Sequence, residues 1–523
     1  PTRRKYTRRV QEGKRIAQVV YNPVFVAECL DDGESGDARL LTAFMTENLV
    51  FDHSEKMWFW WNCLFWEPDR ATSIVQVASD LLCTTYTRLA VESFTAAIKL
   101  KGDIVAKGPD YKATDEETEQ VEKLTKTAGT AKKRAVALRG VREVQRVLEF
   151  AKTGLRLGIS GDEWDQATGV LPTVSGTIDL ATGELIPPRP TDYMRTVAPT
   201  EYRGLDEPAP RFEQFLSEIL PDQPEVIAYL QTLLGYSMLG TAQLDLFVQL
   251  YGEDGRNGKD TLLELLFFVL GEGIASAVSN DVLINRKDRA AGSASPHIMT
   301  LRGKRLVWAS ETKEGDRLDA GQVKLLTGGG ILRTRQLHKA EVSFEQTHLL
   351  LLLTNNLPHA PSHDPALWER IRLVKFLHRF IENPDPNNPQ EHKADDKLKD
   401  ALRLEAPGVL AWLVRGCIEF QRFGLHTPGC VRMATEEYKK NEDTLAEFIE
   451  DWCKVDKSDT AMKITGSTIY SMYTSWCSHN NLQPMNGKTF GQRMKKMFDS
   501  DRGNAGVFYK GICSNPDRTV NLN

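Results

Sequence analysis

The stretch Leu246-Phe-Val-Gln-Leu-Tyr251, followed by Gly252-Glu-Asp-Gly-Arg-Asn-Gly-Lys259-Asp-Thr and an apolar helical pattern to Leu270, constrains the fold more than any other part of the chain. Strand, glycine-rich turn and helix in direct succession build a phosphate site. Glycines let successive backbone N–H groups face the oxygens, the helix N-terminus adds a positive dipole, and a lysine reaches the terminal phosphates. Lys259 is the expected phosphate ligand, with Gly255, Asn257, Gly258, Asp260 and Thr261 completing the nucleotide loop. The loop is irregular in two ways. Gly252 stands six residues before Gly258, one more than the usual pattern. Asp260 also takes the place of the hydroxyl that normally meets Mg2+; a carboxylate can do this too, Thr261 is adjacent, and both stay open. For this segment alone, a glycine-rich turn without nucleotide is the alternative.

The order of the downstream motifs weakens that alternative. Lys304-Arg-Leu-Val-Trp-Ala-Ser-Glu311 reads as a second strand ending in a carboxylate, the place of the acid that orients Mg2+ and the attacking water. His348 to Thr354 reads as a third strand ending at Asn355-Asn356, at the sheet edge where ligands bind. Arg370 and Arg372 come next, candidates for an arginine finger supplied to a neighbouring subunit. Each element alone is common, but the ordered set is far more specific.

The rest of the chain is organised around this core. At 523 residues it is too long for one hydrophobic core. We expect a basic extension over 1–40, a small α/β domain over 41–205, a helical collar over 206–245, the ATPase over 246–380, a helical segment over 381–440 and a winged-helix-like domain over 441–523. The net charge of −5 requires any nucleic-acid footprint to be local. No apolar run approaches a membrane span, so the expectation is a cytoplasmic protein, in a bacterium or a host cell, with no membrane partner. The eight cysteines lie apart without metal-site spacing and read as buried thiols. The start at Pro1 suggests a fragment.

Three surface features carry two readings each. The Trp58–Trp66 aromatic run reads more as strand core than as a base-stacking platform. Lys132, Lys133, Arg134, Arg139, Arg142 and Arg146 read more as a solvated helix face than as phosphate contacts. Lys488, Arg493, Lys495 and Lys496 load a late helix with positive charge and no acid, which suits DNA contact, although winged helices also bind proteins.

These motifs resemble the superfamily 3 helicases, in the phage, plasmid and poxvirus branch often fused to primases. The shared segments are Leu250-Tyr-Gly, Asn257-Gly-Lys259, Arg305-Leu-Val-Trp-Ala-Ser-Glu311-Thr, Lys324-Leu-Leu-Thr-Gly-Gly329, Thr354-Asn-Asn-Leu-Pro358 and Ala366-Leu-Trp-Glu-Arg370-Ile, with Gly176-Thr-Ile-Asp-Leu180 and Tyr229–Tyr236 upstream. The resemblance implies that Lys259 binds phosphate, Glu311 activates water, Asn355 senses the γ-phosphate and Arg370, or failing it Arg372, reaches a neighbour's nucleotide. It also implies a hairpin over Thr327 to Phe344 that grips single-stranded DNA, with Arg333, Arg335, His338 and Lys339 as its cations. Where the family has an acid after Thr-Gly-Gly, Gly330 stands here.

The combined expectation is an α/β protein with a P-loop (AAA+-like) core and a parallel sheet. It would be an ATP- and Mg2+-dependent DNA helicase working as a ring, expected to be a hexamer, at the replication forks of a phage, plasmid or other mobile element. Asp260, Thr261 and Glu311 are its candidate metal ligands. A primase or polymerase partner, or an upstream fused primase domain, is implied, since residues 1–200 hold no convincing carboxylate trio. The rival readings are a P-loop ATPase that remodels protein partners and a non-catalytic DNA-binding scaffold.

Overall fold

The computed structural model describes residues 21–154, 156–285, 296–335, 341–459, 461–480, 482, 484–503 and 506–515. At its centre lie five strands: β1 (Phe247–Tyr251), β2 (Ala275–Val278), β3 (Leu306–Ser310), β4 (Leu349–Thr354) and β5 (Ile371–Lys375). They lie in the order β5-β1-β4-β3-β2, and every pairing is parallel. A parallel sheet is covered on both faces, which explains the unbroken leucine run of β4, buried along its whole length. Parallel pairing also brings every strand's C-terminal end to one edge, where open α/β sheets bind ligands. The expected α/β class with a parallel core is therefore the observed one.

One face of the sheet is covered by α1 (Lys259–Leu270) and, beyond it, by the helices Pro210–Ile219, Pro224–Ser237 and Ala406–Phe423. The last two touch backbone to backbone. A Cβ on Gly235 would lie 2.2 Å from the Cys417 amide nitrogen, and one on Gly416 would lie 2.1 Å from the Gln231 carbonyl oxygen. The expected collar and the later helical segment are thus one layer. That segment also contains a short parallel strand pair, Arg379–Ile381 with Glu391–Lys393.

Packing corrects two expected boundaries. Residues 21–40 are not an extension: Asn22 caps a helix over Pro23–Asp31, a second runs over Gly33–Met45, and Val26, Cys29, Leu40 and Leu41 are buried. The acidic residues Asp31, Asp32 and Glu34 lie at the joint between these helices, and Asp37 is buried against the Tyr86 hydroxyl and the Arg134 guanidinium. The end expected near 205 is also displaced. Leu171, Ile178 and Leu180, from the hairpin Val170–Thr173/Gly176–Asp179, join the core beneath the central sheet, while residues 26–164 form separate cores.

Within the N-terminal region, the aromatic run packs as core: Phe59, Trp60 and Trp66 are buried. The cations from Lys132 to Arg146 lie on two helices, Asp115–Ala137 and Val141–Ala151, and on the turn between them, and Arg134 and Arg146 both pair with Glu143. The C-terminal module runs helix Thr444–Trp452, strand Lys463–Thr465, helices Gly466–His479 and Gly487–Met497, then hairpin Ser500–Gly503/Gly506–Lys510, the winged-helix order, around its own apolar core. Among the described residues, no helix is long and apolar enough to cross a membrane.

Candidate nucleotide site and nucleic-acid surfaces

The glycines of the 252–259 loop stand where a side chain would be strained or would collide. Gly258 caps α1 at φ +81°, and a Cβ there would lie 2.4 Å from Ile219. Gly255 has φ +70°. A Cβ on Gly252 would collide with the Asn257 amide. The backbone therefore approaches its own side chains as closely as a phosphate cradle requires.

Lys259 is almost wholly buried, at 1% exposure. Its ammonium has three donors, and it meets three oxygens: Asn257 Oδ1 at 2.8 Å, Asn355 Oδ1 at 3.1 Å and the Gly252 carbonyl at 3.4 Å. Burial disfavours the charged form and lowers its pKa to about 8. The contact with Asn355 joins residues 96 apart in sequence. It arises because β4 lies directly beside β1, so the ends of the two strands converge.

Glu311 sits one residue beyond β3, exposed, with φ +67°. Left-handed backbone is unusual for a glutamate and is the kind of strain that collects at functional sites. Neighbours hold this conformation: Asn280 donates to the Glu311 carbonyl at 2.8 Å, and the buried Thr312 hydroxyl bonds the Thr354 hydroxyl and the Asn356 carbonyl. Asp260 and Thr261, in the first turn of α1, line a cavity of about 750 Å³ beside the loop. Mg2+ asks for one or two carboxylates plus phosphate oxygens and water. Asp260 and Glu311 are each an exposed carboxylate, one in the first turn of α1 and one just beyond β3, and among the described residues no cluster of three or more His, Cys, Asp or Glu side chains could hold a metal ion.

Arg370 and Arg372 lie elsewhere. The Arg370 carbonyl accepts from the Phe247 amide at 2.8 Å, so Arg370 stands beside the first residue of β1, a strand length of about 16 Å from the loop at its other end. Its guanidinium bonds the Ala366 carbonyl at 2.7 Å and pairs with Asp245. Arg372 bonds the Glu369 and Ile371 carbonyls, both at 2.8 Å. Neither is placed to serve the loop of its own chain.

The expected hairpin is present as Ile331–Arg335 paired antiparallel with Glu341–Glu345, between β3 and β4 in the chain. Arg333 is exposed on it and Arg335 pairs with Glu341 in backbone register, whereas His338 and Lys339 lie outside the described residues. Gln346, which no sequence motif singles out, closes the hairpin base: its Oε1 accepts from the Gly329 amide at 2.8 Å and its amide donates to the Leu325 carbonyl. With Gly330 standing where the family has an acid, the base of this hairpin is held by a buried glutamine that follows its second strand. On the late helix, Lys488, Lys495 and Lys496 are exposed. Arg493 is a correction: it grips both Asp443 oxygens at 2.7 Å and the Ser362 hydroxyl at 3.2 Å, so it ties the C-terminal module to the loop after β4. Charge count alone could not separate it from its neighbours.

The fold and the site geometry define a parallel α/β core with a glycine-loop lysine, a strand-end carboxylate and a strand-end asparagine at one sheet edge. Residues 38–221 match the family described as D5 N terminal like, and residues 440–513 match the one described as Poxvirus D5 protein-like. In sequence the two matched segments lie before and after the strands of the central sheet, and they agree with the resemblance to the poxvirus, primase-associated branch.

A protein of Acanthamoeba polyphaga mimivirus, provisionally named a helicase, is 30% identical over 58% of this chain and 32% of its own length. One of African swine fever virus, provisionally named a primase, is 26% identical over 43% of this chain and 24% of its own. The chain thus spans less than a third of either relative. The solved NrS-1 C-terminal region aligns over 60% of this chain and 79% of that one, at 10% identity and a TM-score of 0.35, too low to support any conclusion.

Proposed function

We propose that the chain is the motor part of an ATP-hydrolysing replicative DNA helicase, a superfamily 3 enzyme that works as a ring, expected to be a hexamer. The observation that carries this reading is the contact of Lys259 with Asn355, next to the strand end that bears Glu311. It supports a site in which one set of groups can meet the terminal phosphate and the attacking water together. The loop amides and Lys259 would hold the β- and γ-phosphates, with Asn355 within reach of the γ-phosphate. Glu311 would orient the water and accept its proton. Asp260, Thr261 and Glu311 would hold Mg2+, which when bound neutralises phosphate charge. Arg370 of a neighbouring chain would stabilise the charge that develops on the transferred group, and the position of Arg370 far from its own loop favours this supply in trans.

The hairpin lies in the segment between Glu311 and β4, after the helix Ala320–Thr327, so one continuous stretch of chain joins the strand end that bears Glu311 to the hairpin and then, through β4, to Asn355. Arg333, Arg335, His338 and Lys339 would contact the phosphates of single-stranded DNA, with Lys488, Lys495 and Lys496 adding a second contact surface. Travel in the 3′ to 5′ direction, a phage, plasmid or viral replication fork as the setting, a primase or polymerase as partner and a cytoplasmic location complete the proposal.

DNA-stimulated ATPase and strand-displacement assays on the parent, Lys259→Ala and Lys339→Ala test it. Lys259→Ala should lose hydrolysis by at least a hundredfold or so, while Lys339→Ala should keep basal hydrolysis and lose unwinding. An unaffected Lys259→Ala protein would sink the reading. A protein that binds DNA and hydrolyses nothing would point to the scaffold instead.

A further inference from the structure

The chain that leaves β4 beyond Asn355 runs directly from the nucleotide edge of the sheet to the C-terminal module. Its start is locked to the strand end that bears Glu311, because the Thr312 hydroxyl bonds the Thr354 hydroxyl and, at 2.7 Å, the Asn356 carbonyl. Further along, the His359 amide donates to the Asp316 carbonyl at 2.7 Å, and the His359 carbonyl accepts from the Leu318 amide at 2.9 Å. The segments that follow Glu311 and Asn355 are thus hydrogen-bonded to each other, and a shift of one strand end is felt by both.

The helix Gly429–Asn441 lies on β5, where its Thr435 hydroxyl accepts from the Leu373 amide at 3.0 Å, and its end grips these joined segments. The buried Tyr438 hydroxyl donates to the Pro358 carbonyl. Glu442 accepts from the Ala360 amide at 3.0 Å and lies 3.3 Å from His359 Nδ1. Asp443 follows directly: it caps the helix Thr444–Trp452 and holds Arg493, whose guanidinium also donates to the Ser362 hydroxyl at 3.2 Å. The module keeps an apolar core of its own, and a cavity of about 280 Å³ lined by Arg317, His359, Ser362, Glu442, Tyr473 and Met485 lies at the joint. A joint made of a few polar contacts around a cavity permits relative motion that a large apolar interface would forbid. The helix Gly487–Met497 that anchors Arg493 here turns Lys488, Lys495 and Lys496 to solvent.

We propose that the C-terminal module is a control element of the nucleotide site: DNA held at Lys488, Lys495 and Lys496 biases the Arg493–Ser362 and Glu442–Ala360 contacts, and through them the placing of Asn355 and Glu311. The proposal rests on reading residues 252–259 as a nucleotide loop. It makes Ser362 and Glu442 positioning residues that act through the backbone between Asn355 and the module. Coupling between two binding sites is reciprocal, so nucleotide at the loop must also act on the module. A chain of hydrogen bonds with a movable joint at its end is a physical carrier for that coupling.

Amide hydrogen exchange on the full chain tests this, with a non-hydrolysable ATP analogue and Mg2+ added to the parent, Ser362→Ala/Glu442→Ala, Glu442→Gln and Lys259→Ala. In the parent the analogue should change exchange both in residues 356–363 and in residues 487–497. The double variant should keep the response in 356–363, which also shows that it folds and binds, and lose the response in 487–497. Glu442→Gln keeps an acceptor for the Ala360 amide and should respond as the parent does. A single-stranded oligonucleotide added alone should alter exchange in 356–363 of the parent, and this change should be lost in the double variant and in Lys488→Ala/Lys495→Ala/Lys496→Ala. A response to the analogue that stops at 356–363 in the parent, or reaches 487–497 equally in the double variant, would overturn the coupling. An oligonucleotide response that survives in both sets of variants would overturn it as well. If the analogue leaves 356–363 of the parent unchanged, or acts equally on Lys259→Ala, the nucleotide-loop reading itself has failed and the proposal falls with it.

Discussion

Lys259 shows how a single side chain is tuned by its surroundings. Desolvation pulls its pKa down to about 8, and a bound polyphosphate would favour the charged amine and raise it again. Nucleotide affinity should therefore fall as pH rises through about 8, and proton uptake on binding should grow from about half a proton at pH 8 to close to one at about pH 9. Titration calorimetry in two buffers of different ionisation enthalpy would count that proton, and no uptake in this window would contradict the buried-ammonium account. The place of Lys259 at the start of a helix after a glycine loop was legible in the sequence, because strand, turn glycines and helix periodicity are local patterns. Gln346 and the clamp made by Arg493 were not legible, since each depends on which backbone or carboxylate lies opposite, and no local pattern carries that information.

At the scale of elements, the crossing of the Pro224–Ser237 and Ala406–Phe423 helices sets the platform on which the loop and its cavity rest. Gly235 lies where the two backbones meet, and a methyl group there has no space. Gly235→Ala should destabilise the protein by roughly 2–3 kcal/mol or more, as overpacking of a close contact does. Gly102, inside the Ile74–Val105 helix with nothing near its Cβ position, is the counter-example. Gly102→Ala should stabilise by about 0.5–1 kcal/mol through helix propensity and chain entropy. Denaturant unfolding of both variants would check the opposite signs. The sequence marks both glycines as helical interruptions of the same kind, and only the second helix, nearly two hundred residues further on, separates them. The early helix pair over residues 23–45 was missed for a related reason: acidic residues at a helix–helix joint look like a solvated loop until the apolar faces on either side are seen to be buried together.

For the whole molecule, the parallel sheet puts Lys259, Glu311 and Asn355 at one edge and Arg370 at the other, and in the proposed ring Arg370 would meet the phosphate held by a neighbouring chain. Chains carrying Arg370→Ala and Lys259→Ala should each be inactive alone. Mixed in equal amounts they should recover about a quarter of the hydrolysis, because a random ring pairs an intact loop with an intact arginine at that fraction of its interfaces. No recovery on mixing, with both proteins folded and assembled, would refute supply in trans. The sequence by itself determined the parts and their order along the chain, strand with glycine loop and lysine, strand with glutamate, strand with asparagine, then arginine. Hydrophobic periodicity and turn chemistry act over a few residues and leave their mark locally. Only the tertiary structure decided which ends meet: that β4 lies between β1 and β3, that Asn355 therefore touches Lys259, that Arg493 serves a carboxylate of its own chain, and that residues 170–205 pack with the central sheet. Strand order and domain packing are set by the burial of surfaces far apart in sequence, and that long-range term has no local signature.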